Sequence, residues 1–379
     1  MRKPMLQLAV ALPLTILTQM TSAGSVAAQT SLLEETVSFS GQVLFLETGV
    51  PGLVIGAVRD GDRAVFGFGE TERGNGVTPD GDTLMRVGSI TKVFTGAVLA
   101  EMSAEGEIGL TDSLQQHLDG TEIPELGSRP IRLIDLATHT SGLPRELDRP
   151  AGPDDDPFAT LTQDAYLDAL SAGVQLFPAG TGGLYSNFGF DMLAVALEKA
   201  SGKAYRSLLS ERILDPLGLE DTGFAPRDAD RLMSGHGFDG EVLPDIPTAP
   251  AMVGASGLYS SANDMLTWME WHLDDGDRPE TRLLDHAAFV PRDGLDPAYG
   301  FDESGEMDAM GLGWIVMHQK GNQPFILQKA GGLQGMFLYH AFAPSHDIGV
   351  FIAINQFDFA ASAQIAQMAN DLIAQLATR

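Results

Sequence analysis

Strand-like patterning gathers at the two ends of the chain, and helical patterning fills the middle. Residues 52–58 read as a strand, Asp60-Gly61-Asp62 as a turn, and residues 63–69 as its partner. Strand signals return only at residues 313–318, 325–329, 336–343 and 348–355. Between these ends the spacing predicts helices over residues 89–105, 132–139, 161–170, 187–200, 205–214 and 262–273. Gly106 stops the first of them, and an amphipathic helix over residues 359–378 closes the chain. Strands that are remote in sequence must still pair with something. The pattern therefore predicts an α+β fold, with one antiparallel sheet formed by both chain ends and flanked by helices. A mostly helical lobe, about residues 106–275, is inserted between the sheet-forming ends. The junction between the two parts is the default place for a site.

The first residues carry a different message. Arg2 and Lys3 precede a short apolar run, residues 6–17, and small residues follow up to Val26-Ala27-Ala28. This predicts a signal peptide over residues 1–28, cleaved near Ala28, with Ala23 as a second site. The same run also fits an uncleaved anchor. No later segment is apolar enough to span a bilayer, so residues 29–379 read as one exported domain without a membrane span after cleavage. Against 51 Asp+Glu there are 23 Lys+Arg, a formal net charge of -28. Such a balance excludes nucleic acid as a partner, because phosphate binding needs a concentrated basic surface. The chain has no cysteine, which excludes disulfides, thiolate metal sites and cysteine nucleophiles.

Three short motifs carry candidate chemistry. In Ser89-Ile90-Thr91-Lys92 the serine and lysine are three residues apart, so on a helix they share a face. A partly desolvated lysine can take the proton of a serine and make it a nucleophile. At a helix start, free N–H groups favour developing negative charge. Of the lysines beyond Lys3, none except Lys92 has a serine three residues before it. In Tyr185-Ser186-Asn187, after Gly180-Thr181-Gly182-Gly183, a tyrosine beside cations can act as a base. Asn187 offers an amide for a lysine head or a substrate carbonyl. Alone, this motif also fits a core tyrosine and a helix cap. Lys329-Ala330-Gly331-Gly332, at the end of a predicted strand, combines a positive charge with glycines that let a substrate backbone approach. Alone, it also fits a strand followed by a turn.

Together, Ser-x-x-Lys, Tyr-x-Asn and Lys-x-Gly in this order resemble the serine β-lactamase and penicillin-binding-protein superfamily. The middle motif is that of its class C-like branch. Leu136-Ala137-Thr138-His139-Thr140-Ser141-Gly142-Leu143-Pro144, Pro216-Leu217-Gly218-Leu219 and Gly257-Leu258-Tyr259-Ser260 are also similar to it. Gly69-Glu70-Thr71, Pro144-Arg145-Glu146, Met310-Gly311-Leu312-Gly313-Trp314 and Ile326-Leu327-Gln328-Lys329 resemble the AmpH-type D-alanyl-D-alanine carboxypeptidase/endopeptidases.

The resemblance implies a β-lactamase/transpeptidase-like fold and a periplasmic serine hydrolase. It implies an acyl-enzyme on Ser89, formed from D-Ala-D-Ala type peptides of peptidoglycan or from β-lactams. Lys92 and Tyr185 would share the base role, Asn187 would hold Lys92 and the substrate amide, and Lys329 would lower the Tyr185 pKa and attract a carboxylate. Ala330, Gly331 and Gly332 would line the substrate, with the Ser89 and Gly332 N–H groups as the oxyanion hole. No metal or organic cofactor is implied. One departure stands out: the family's Thr or Ser at the middle of the third motif is here Ala330. The lost hydrogen bond to a charged group is worth about 1.5–3 kcal/mol. An internal cross-link or an ester would suffer less from that loss, which keeps an esterase of the same fold as an alternative; a class C-like β-lactamase is another. A non-catalytic penicillin-binding sensor is the alternative of another class. A Ser-His-Asp hydrolase is disfavoured, because G-x-S-x-G is absent, and His139 is expected to pack or cap; H-E-x-x-H is absent as well.

Overall fold

The structure is a computed structural model describing residues 21–274, 276–301 and 307–378, with side chains from residue 32 onward. Arg2, Lys3 and the apolar run 6–17 lie outside the described residues. No helix among the described residues is long and apolar enough to cross a membrane.

Eight strands form one sheet in which every hydrogen-bonded pair is antiparallel. The N-terminal hairpin Gly52–Arg59 and Asp62–Gly69 lies at one edge. The C-terminal strand Ile348–Ile354 joins it to Met336–Ala343, Ile326–Leu333 and Ile315–Met317. The short pairs Ala309–Met310 and Val290–Pro291 finish the other edge. Both ends of the chain thus build one sheet, as the strand pattern predicts.

Side chains alternate across a strand, and both faces of this sheet are covered. Leu53, Ile55, Val350 and Ile352 face a layer made by the helices Thr21–Thr48 and Phe359–Ala377, through Leu33, Val37, Ile365 and Leu372. Val54, Val58, Phe351 and Ala353 face the larger core that the helices Thr91–Ala104 and Ala262–Leu273 share with the middle of the chain. There Phe94, Trp268 and Trp271 stack, with ring centroids 4.4 and 5.2 Å apart.

Three local differences separate the structure from the pattern. The helix expected over residues 89–105 starts as a 3₁₀ turn, Gly88–Ile90, and becomes α-helical at Thr91. The segment expected over residues 205–214 widens from an α-helix, Tyr205–Leu209, into a π-turn, Ser210–Leu214. The third difference corrects the placing of Lys329-Ala330-Gly331-Gly332 at a strand end. The strand Ile326–Leu333 runs on through all four residues, paired to Met336–Ala343, and the turn falls at Gln334-Gly335. Its glycines are needed for close packing. A Cβ on Gly331 would sit 2.0 Å from the Val87 carbonyl oxygen.

Candidate functional site

The positions of Ser89 and Lys92 follow from a backbone contact. Gly88 has φ +51, and a Cβ there would lie 2.8 Å from the Gly332 nitrogen. The Ser89 turn therefore lies directly against the glycine stretch of the Ile326–Leu333 strand. Ser89 is half-buried at the mouth of the site, while Lys92, in the first turn of Thr91–Ala104, is fully enclosed. Its ammonium donates to Ser89 Oγ at 3.2 Å, Asn187 Oδ1 at 2.7 Å and the Ala255 carbonyl at 2.8 Å. All its donors are used, which is what a buried ammonium requires. Burial pushes the Lys92 pKa down, Tyr185 pulls it back up, and Lys329 adds to the lowering.

Tyr185 precedes the helix Asn187–Ser201, which Ser186 caps by accepting from the Gly189 N–H at 2.8 Å. The Ser186 hydroxyl also donates to the Pro144 carbonyl at 2.6 Å. The Tyr185 hydroxyl accepts from Lys329 Nζ at 3.1 Å, and the same ammonium donates to the Ala330 carbonyl at 3.1 Å. The ammonium groups of Lys92 and Lys329 lie 4.8 and 5.0 Å from the centroid of the Tyr185 ring. Burial alone would raise the phenol. The charges of Lys329 and Lys92 and hydrogen bonds from Ser89 and Lys329 outweigh it and lower it to about 7. Such a phenol is divided between its two protonation states near neutral pH, which suits proton transfer.

His139, at φ +58, stacks on Tyr185 with centroids 4.3 Å apart, and its Nδ1 accepts from the Ser186 N–H at 3.0 Å. Burial and the cations Lys92, Lys329 and Arg145 lower its pKa well below the usual imidazole value. It is a packing and capping residue, as the sequence predicts.

Ser89, Lys92, Tyr185, Asn187 and Lys329 are thus brought together from three distant segments, with Ala330, Gly331 and Gly332 along the wall beside them. Sequence reasoning missed three contributors. Asp191 is fully buried and accepts from the N–H groups of Gly254 and Ala255 at 3.0 and 3.1 Å and from the Tyr166 hydroxyl at 2.8 Å. It holds the loop whose Ala255 carbonyl receives Lys92. Burial pushes its carboxyl up to about 7 against the pull of Tyr166 and Lys92. Its place one helical turn after Asn187 was the available signal. Glu146 accepts from Asn187 Nδ2, and Arg145 lies 5.0 Å from the centroid of the Tyr185 ring. Both fall in a stretch the sequence singles out, without a role for either.

Two clefts meet at Ser89. Arg145, Glu146, Arg149, Tyr166, Asn187 and Asp191 line a charged one. Tyr185, Lys329 and Ala330 open onto an aromatic one, with Phe238, Phe301, Phe337, Phe357 and Phe359. One His/Asp group among the described residues brings ligand-type atoms together, His272, Asp285 and His286, within 4.8 Å. It lies in the core, where Trp314 donates to Asp285 at 2.8 Å and the two imidazoles are 2.9 Å apart.

Residues 30–375 match the Beta-lactamase family model. The chain belongs to the beta-lactamase family. Within it, the D-alanyl-D-alanine-carboxypeptidase/endopeptidase AmpH of Escherichia coli K12 is 34% identical over 346 residues, covering 88% of this chain and 86% of that protein. A beta-lactamase/D-alanine carboxypeptidase from Yersinia pestis, solved with citrate, superposes with a TM-score of 0.83 at 34% identity, over 92% of this chain and 99% of the other. A class C beta-lactamase from Rhodobacter sphaeroides shares the fold at a TM-score of 0.69 and 22% identity, over 89% and 99% of the two chains. This beta-lactamase-family chain is a serine hydrolase with the class C-like fold.

Proposed function

We propose that the protein is a periplasmic serine hydrolase that cleaves D-Ala-D-Ala type peptides of peptidoglycan through an acyl-enzyme, as a carboxypeptidase/endopeptidase, and that it binds penicillin. The observation that carries this is the continuous set of polar contacts from Lys329 through Tyr185 to Ser89, Lys92 and Asn187. Residues 1–28 serve as the export signal in this reading, and residues 29–379 are the catalytic domain.

Ser89 Oγ attacks the acyl carbon while its proton passes to the Lys92–Tyr185 pair, whose coupled titration assigns it to neither alone. The Ser89 and Gly332 backbone N–H groups receive the developing oxyanion. Asn187 orients Lys92 and the substrate amide. Tyr185, held by Lys329, protonates the leaving atom and then activates the water that releases the acyl group.

The test is the intact mass of the protein after benzylpenicillin, with Ser89→Ala alongside. An adduct on the wild type and none on the variant supports Ser89 as nucleophile. Regeneration of free enzyme over time separates a hydrolase from a sensor that stops at the adduct. No adduct and no loss of the drug would sink the penicillin-binding reading. A second reading, an esterase with the same machinery, is favoured by Ala330, which has no hydroxyl to offer a carboxylate.

A further inference from the structure

The two clefts can be assigned to the two halves of a substrate. The group that protonates the leaving atom must touch it. Tyr185 and Lys329 line the aromatic cleft, whereas Asn187 and Asp191 line the charged one. The aromatic cleft is therefore the leaving-group side of Ser89.

Its described lining is poorly made for a carboxylate. Ala330 has no hydroxyl. Two of the three Lys329 donors are committed to Tyr185 and to the Ala330 carbonyl. The N-terminus of the helix Phe359–Ala377 borders the cleft, and a helix start is a natural anion receptor. Here Asp358 fills that role with its own carboxylate, accepting from the Ala360 and Ala361 N–H groups at 2.8 and 3.0 Å. A second anion would meet Asp358 first. Arg145, shared by both clefts, is the remaining cation, and it lies over the Tyr185 ring.

The lining is well made for an apolar group. Phe238 stacks on Phe357 at 5.7 Å and tilts against Phe359 at 5.1 Å. Phe238 and Phe359 are 63% and 79% exposed, which leaves ring faces open at the rim. An exposed aromatic patch continuous with a nucleophile is a place for a ligand to bury its own apolar surface.

We propose, on the basis of the acyl-enzyme reading, that this cleft receives an uncharged, apolar leaving group. Esters and amides with an aryl or alkyl leaving group are then hydrolysed faster than those with a carboxylate on it, and release of D-Ala, whose carboxylate must sit in this cleft, is the slow member of the same reaction. For an ester, a bond forms between Ser89 Oγ and the acyl carbon, and the bond from that carbon to the leaving oxygen breaks. The Ser89 proton reaches that oxygen through Tyr185. Water then takes the acyl group as an acid and returns a proton to Ser89.

The experiment uses two esters of one N-acyl-D-alanine, phenyl and 3-carboxyphenyl, with the 3-carbamoylphenyl ester as a control for size. The expected kcat/KM favours the two neutral esters by about tenfold or more, on the scale of one lost charge-assisted hydrogen bond. Ala330→Thr restores a hydroxyl, and Asp358→Asn keeps the helix cap while removing the negative charge. Each is expected to narrow the ratio by speeding the carboxylate ester, and Phe357→Ala by slowing the neutral ones. Equal rates, or a preference for the carboxylate ester, overturn the proposal. So does a ratio that Ala330→Thr and Asp358→Asn both leave unmoved. If benzylpenicillin labels Ser89 while the esters show the wrong order, the inference alone fails. If neither penicillin nor any ester labels Ser89, the acyl-enzyme reading fails and takes the inference with it.

Discussion

The charged and aromatic clefts share Ser89 but are assembled in different ways. Most of the charged wall comes from residues 145–191, completed by Ser89, Met252, Ser256, Gly332 and Leu333. Hydrogen bonds fix it from beneath: Asp191 ties the 254–255 backbone, Ser186 ties Pro144, and Asn187 links Lys92 to Glu146. The aromatic wall takes Phe238, Phe301, Phe337 and the neighbouring pair Phe357 and Phe359 from four separate segments, with ring packing among three of the five. A hydrogen-bonded wall holds atoms at fixed positions and transmits charge. A wall of rings offers area and shape, so it tolerates variation in what it binds. Under the proposed assignment of the two clefts, proton-transfer geometry is held strictly and leaving-group specificity is adjustable.

The largest expected effect removes what the clefts share. Ser89→Ala is expected to lower turnover of any acyl substrate by roughly 10³–10⁶, the range seen when a nucleophile is removed. Substantial turnover remaining in this variant would mean that the clefts do not converge on one nucleophile.

Next comes the cation on the aromatic side. Lys329→Met removes the charge that holds the Tyr185 phenol at about 7. For the wild type, kcat/KM is expected to rise with pH through about 7, as the phenol loses its proton. In the variant the phenol pKa moves up, so this limb moves to higher pH. The rate at pH 7 falls by roughly 10²–10⁴, the usual worth of general acid–base catalysis. A pH profile that stays in place would remove Tyr185 from proton transfer.

The charged side is more sensitive in stability. Asp191→Ala leaves the Gly254, Ala255 and Tyr166 donors without their acceptor in a buried place. An orphaned buried donor costs about 1–3 kcal/mol. Asp191→Asn keeps an oxygen for the two backbone donors and is expected to unfold at a higher temperature than the alanine variant. It also removes a charge that raises the Lys92 pKa, so the lysine loses its proton at lower pH. Thermal unfolding of both variants and the pH profile of the asparagine variant measure this. Equal stability of the two variants would show that Asp191 supports the loop by packing alone.

The smallest effect belongs to the rim. Glu146→Ala frees the Asn187 amide, and the exposed position limits the effect to about 1 kcal/mol. KM for substrates with extended acyl groups is expected to rise a fewfold with kcat unchanged. A loss in kcat of the same size would place Glu146 in the proton-transfer network.

The same contrast explains what the sequence made legible. Ser89 and Lys92 are one helical turn apart, and Tyr185 and Asn187 are two residues apart, so local periodicity places each pair before any tertiary contact is known. Asp191 lay within the same reach, one turn beyond Asn187. The Ala255 carbonyl had no such signal, because a backbone acceptor carries no side-chain identity. The aromatic wall had none either: Phe357 and Phe359 are neighbours, but no spacing relates them to Phe238, Phe301 or Phe337. Among the strands, Met336–Ala343 was legible to the residue because its largely apolar run, interrupted by His340, is bounded by Gly335 and Pro344. Ile326–Leu333 was cut short at Lys329 because Gly331 and Gly332 read locally as a turn, whereas in the fold their bareness lets Val87 approach.

The pairing of Gly52–Arg59 with Ile348–Ile354 also sets the timing of folding. The sheet closes only after nearly the whole chain is available, and the Ser89 turn rests on a strand that is itself late in sequence. Contacts between such distant segments form slowly. During synthesis the N-terminal hairpin waits for partners that have not yet been made. The Ser89 turn therefore lacks its wall until the strand Ile326–Leu333 has been made and docked, and a chain that reached another compartment unfolded would assemble this site there.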